Sequence, residues 1–118
     1  MYGFENDQEM FNYSIKNLNK NAKIEYKDIN LINYNNLDAD CYIINTPFWN
    51  DTMLKNLIDK IFLSRVSSKG KYYIIIINID VILKKIQLNT IFTNFKLTKF
   101  INAGPIRSLR IYKSLENR

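Results

Sequence analysis

The chain of 118 residues suits one domain with a single core, and its 47% hydrophobic and 24% charged residues set it apart from disordered and fibrous sequences. With one cysteine and no histidine, an intramolecular disulfide, a Cys/His zinc site within the chain and any design resting on a histidine base are excluded. The net charge of +6 is lopsided: residues 1–59 hold 5 Lys/Arg against 9 Asp/Glu, residues 60–118 hold 12 against 2, so the basic half either faces RNA, a ribosome or an acidic partner or merely solvates outer faces.

The opening "MYGFENDQEM" has neither the basic start nor the apolar core of a signal peptide. Within it "YGFE" reads as a short strand ending on Glu5. "DQEMFNYSIKNLNKN" follows as a helix, with Asp7 as its N-cap and Met10, Phe11, Ile15 and Leu18 as its buried stripe. "AKIEYKDI" is a second strand, ending near Asp28. "DADCYIIN" is a third, apolar enough for the middle of a parallel sheet, with Cys41 in the core.

That third run stops on "NTPFW". Pro47 cannot donate to a ladder and biases Thr46 away from helical angles, so the chain leaves the sheet at Asn45. In α/β proteins ligands bind at this end of the strands. Asn45, Thr46, Pro47 and Phe48 are therefore candidate site residues; the alternative is that Asn45 only ends the strand while Phe48 and Trp49 fill core.

"NDTMLKNLIDKIFLSRV" is a helix capped by Asp51 or Thr52, with Leu54, Leu57, Ile58, Ile61 and Phe62 on its inner face. A loop with Gly70 leads into "YYIIIIN", a strand expected to be fully buried. "DVILKKIQLNTIF" is a helix capped by Asp80, and "FKLTKFI", "NAGP" and "IRSLRIYKSL" form a terminal hairpin. The order β-α-β-β-α-β-α-β-β predicts an α/β fold. No apolar stretch reaches the roughly 20 residues of a membrane span, and the cysteine usage points to the cytoplasm, or the nucleus.

Four stretches taken together resemble the S-adenosylmethionine-dependent methyltransferases. "GFENDQEM" resembles the family's second strand and its acidic end, and "KDINLI" its adenine-side segment. "DADCYIINTPF" resembles the fourth strand with its Asn-Pro-Pro-aromatic substrate motif. "SKGKYYIIIINID" with "NAGPIRSLRIYKSL" resembles the last three strands. The sequence is most similar to the HemK-like glutamine methyltransferases, above all the eukaryotic type that modifies a translation release factor. The family's first strand and glycine-rich loop have no counterpart here, and Thr46 stands where the family has proline.

The resemblance implies a Rossmann-like class I methyltransferase sheet, mostly parallel with a terminal antiparallel hairpin, filling residues 1–118 as a single domain that starts at the family's second strand. It implies S-adenosylmethionine as cofactor, with Glu5 accepting the ribose hydroxyls, Asp28 the adenine amino group, and Ile29 covering the ring. Asn45 and the Thr46 carbonyl would hold the N–H groups of a target amide, Pro47 would fix the turn, and Phe48 would stack on the planar group. It further implies a small zinc-binding activator protein as partner and a release-factor glutamine as substrate, with no metal of its own. Two alternatives stand beside this reading. One is N6 methylation of adenine in RNA or DNA; the other is a truncated, non-catalytic module that binds RNA, a ribosome or a protein.

Overall fold

The computed structural model describes residues 2–5, 8–9, 12, 16, 23–26, 39–45, 50–66, 70–104 and 107–115, with the backbone alone for 2–5 and 23–26. The chain divides into two compact units, Met1–Asn33 and Tyr34–Arg118.

In the first unit, β1 (Tyr2–Glu5) and β2 (Lys23–Tyr26) pair in parallel, from Tyr2 opposite Lys23 to Glu5 opposite Tyr26. A parallel pair needs a crossover connection. Gln8, Glu9, Asn12 and Lys16 in that connection are helical and exposed, and the Gln8 Nε2 amide donates to Asn12 Oδ1 at 3.1 Å, one helical turn on. The expected cap Asp7 and the stripe Met10, Phe11, Ile15 and Leu18 lie outside the described residues.

The second unit holds a mixed four-stranded sheet in the order β3-β4-β6-β5. Its elements are β3 (Cys41–Asn45), α1 (Asp51–Arg65), β4 (Tyr73–Ile77), a 3₁₀ turn (Ile79–Val81), α2 (Lys85–Ile91), β5 (Phe95–Gly104) and β6 (Arg107–Ser114). β3 and β4 are parallel; β4–β6 and β5–β6 are antiparallel. Strand alternation puts Ile44, Ile74, Ile76, Ser108, Arg110 and Tyr112 on one face, and all six are buried. Helix contacts reach this face: Phe92 at the end of α2 stacks on Tyr112 at 3.8 Å, and Phe62 of α1 meets Phe95 edge-on at 6.3 Å. Leu54, Leu57, Ile58 and Ile61 form the buried stripe of α1, each contributing about 2 kcal/mol by leaving water. Phe62 is only half-buried, and Arg65 joins the buried stripe instead, its guanidinium 5.0 Å from the Tyr72 ring. Burial pushes the Tyr72 phenol up to about 12, so this ring is a neutral core aromatic.

Five expectations are corrected. Among the described residues β3 is the end strand of its sheet, not a middle one, and Cys41 is exposed, not core. Only Ile74 and Ile76 of β4 are buried, because the opposite face, carrying Tyr73, Ile75 and Ile77, is not fully covered. The cap of α1 is Asn50 rather than Asp51 or Thr52. Its backbone is extended (φ −100°, ψ 172°) and its carboxamide accepts from Met53 N at 2.9 Å, which leaves Asp51 in the first turn facing the helix dipole. Finally, Asp80 caps no helix. The chain turns left-handed at Asn78, tightens into the 3₁₀ turn and starts α2 only at Lys85, where Gln87 Oε1 accepts from Lys84 N at 2.9 Å.

Candidate active site at the carboxyl end of the parallel strands

β3 and β4 run the same way, so Asn45 and its register partner Ile77 bring both carboxyl ends to one border of the sheet. Asn45 is exposed there, where the sequence puts the first candidate residue. Thr46, Pro47 and Phe48 lie outside the described residues, as do Asp28 and Ile29. Glu5 is the last residue of β1, at the carboxyl end of the other parallel pair.

Immediately beyond β4 stands a group that sequence reasoning missed. Asn78 adopts φ 63° and ψ 20°, a left-handed conformation that asparagine tolerates better than most residues. Its N–H donates to Ser108 O at 2.9 Å, while its side-chain Oδ1 accepts from Ser108 N at 3.0 Å. Two residues on, the Asp80 carboxylate is shared. Oδ2 accepts from Ser108 Oγ at 2.7 Å, and Oδ1 accepts from Arg110 Nε at 2.8 Å and faces Arg110 Nη2 at 2.7 Å. The guanidinium also donates through Nη1 to Tyr112 Oη at 3.4 Å and lies 4.4 Å from the centre of the Phe100 ring.

Burial works against the Arg110 charge, but the bonds to Asp80 and Tyr112 outweigh it and hold its pKa above the usual arginine value. Burial raises the Tyr112 phenol, with Arg110 opposing. The network ties β6 to the turn after β4 and fixes the border on which Asn45 stands. Its sequence signal was available. Ser108, Arg110 and Tyr112 alternate onto the inner face, and an inward arginine requires a carboxylate. Asp80 is the sole Asp or Glu between Asp59 and Glu116.

A groove of about 220 Å³ opens between the first turn of α1 and α2, lined by Asp51, Thr52, Lys55, Ile86, Gln87 and Thr90. That is below the roughly 300–1,000 Å³ of pockets that enclose drug-sized ligands. Among the described residues no group of Cys, Asp or Glu could hold a metal ion, and no helix is long and apolar enough to cross a membrane.

No family model and no curated protein matches the chain. Solved structures do. The crystal structure of the PH0226 protein from Pyrococcus horikoshii superimposes with a TM-score of 0.67 at 11% identity, over 97% of this chain and 71% of that one. HI0767 from Haemophilus influenzae, a proposed methylase, superimposes with a TM-score of 0.58 at 16% identity, over 98% of this chain and 72% of that one. At such identities the likeness shows the fold: an α/β, methyltransferase-like architecture.

Proposed function

We propose that the protein is an S-adenosylmethionine-dependent N-methyltransferase of HemK-like type, acting on the side-chain amide of a glutamine in a translation release factor. The observation that carries this reading is the exposed Asn45 at the shared carboxyl end of β3 and β4, in a methyltransferase-like fold. The cofactor, when bound, supplies a methyl group already activated on a sulfonium, so the protein needs no histidine base. What remains for its own residues is alignment. A carboxamide nitrogen is a poor nucleophile, and Asn45 Oδ1 can accept from its N–H and hold it at the strand end. The sequence adds the Thr46 carbonyl, aimed by Pro47, and Phe48 as a stacking surface. Glu5 stands at a carboxyl strand end, where an acidic side chain suits ribose hydroxyls, and that position fits the cofactor. Asp28 and Ile29 would receive the adenine, and a small zinc-binding protein would act as activator.

A second reading, methylation of adenine in RNA or plain RNA binding by the same fold, is favoured by one observation. Lys96, Lys99 and Lys113 share one face of the β5–β6 hairpin, with Lys96 directly opposite Lys113. The test runs both substrates in parallel. The full-length protein is incubated with radiolabelled S-adenosylmethionine and either a release-factor peptide or an adenine-containing RNA. Label is expected in the peptide glutamine. Asn45→Ala should lower turnover about 10²–10³-fold, the loss typical of one preorganised hydrogen bond, with cofactor affinity unchanged. Glu5→Ala should weaken cofactor binding first, and saturating cofactor should recover part of the rate. Label in the RNA alone would replace the substrate, and turnover indifferent to Asn45→Ala would reduce the strand end to a turn.

A further inference from the structure

We draw no further inference here: the strongest candidate, the face of the β5–β6 hairpin that carries Lys96, Lys99 and Lys113, already bears the RNA reading of the proposed function, and nothing in the structure shows what else would cover it.

Discussion

Asp80 makes clear what a single side chain does in this molecule. Arg110 is only 6% exposed and its charge is tolerated because Asp80 Oδ1 takes both Nε and Nη2. Removing the carboxylate leaves a buried guanidinium without its counter-charge, a change that costs about 3–5 kcal/mol in enclosed sites. Because the Asp80 side chain is itself 24% exposed, water can reach part of the gap, and about 3 kcal/mol is the expected loss for Asp80→Ala. The urea midpoint should fall accordingly. Combining Asp80→Ala with Arg110→Met should recover much of it, since an apolar side chain of similar volume needs no partner. If the double variant is no better than the single one, Asp80 acts through Ser108 and not through Arg110. Asn45 stands out in the sequence and this network does not, for one reason. Asn45 is announced by its neighbours in sequence, whereas Asp80 and Arg110 meet only when β6 lies beside β4.

At the scale of elements, local chemistry decides where each one starts. Asn50, not Asp51, caps α1 because its carboxamide reaches Met53 N at 2.9 Å, while Asp51 Oδ1 accepts from the adjacent Thr52 N. Asn50→Ala should cost about 1 kcal/mol of stability, and Asn50→Asp should cost little; thermal melts of the two variants separate them. The hairpin was legible from "NAGP": β5 ends on Gly104, whose φ of 140° few side chains accept, and its N–H donates to Asn102 Oδ1 at 3.2 Å. The strands β3 and β4 were legible as apolar runs, and β6 as the second arm of that hairpin. What the runs did not disclose is neighbourhood. "DADCYIIN" looked central because apolar runs dominate inner strands, but composition does not say which strands lie beside it, and β3 pairs on one side alone among the described strands. The helix beginning at Lys85 was placed too early for a related reason. The left-handed Asn78 and the 3₁₀ turn after it are held by Ser108, thirty residues away.

The charge asymmetry belongs to the whole molecule, and the register gives it a location. The sequence left open whether the lysines of residues 60–118 cluster in space. Lys96 stands opposite Lys113, with Lys99 further along the same face, and among the described residues none of the three has a carboxylate partner. Like charges directly opposite on paired strands oppose folding by a few tenths to about 1 kcal/mol, so an anion laid across them would relieve a repulsion built into the hairpin. Fold likeness at 11% and 16% identity does not choose between a protein substrate and an RNA; the salt dependence of binding does. If the phosphate backbone of RNA crosses this face, the logarithm of the association constant for a single-stranded RNA oligonucleotide should fall linearly with the logarithm of salt concentration. Each lost contact reduces that slope by about 0.7, so Lys96→Gln, Lys99→Gln and Lys113→Gln together should flatten it by about 2. Replacing Lys55, which already pairs with Asp59 at 2.9 Å, should leave it unchanged. A triple variant that keeps the wild-type slope would show that these lysines only solvate the outer face of the hairpin, and the glutamine reading would then stand without an RNA competitor.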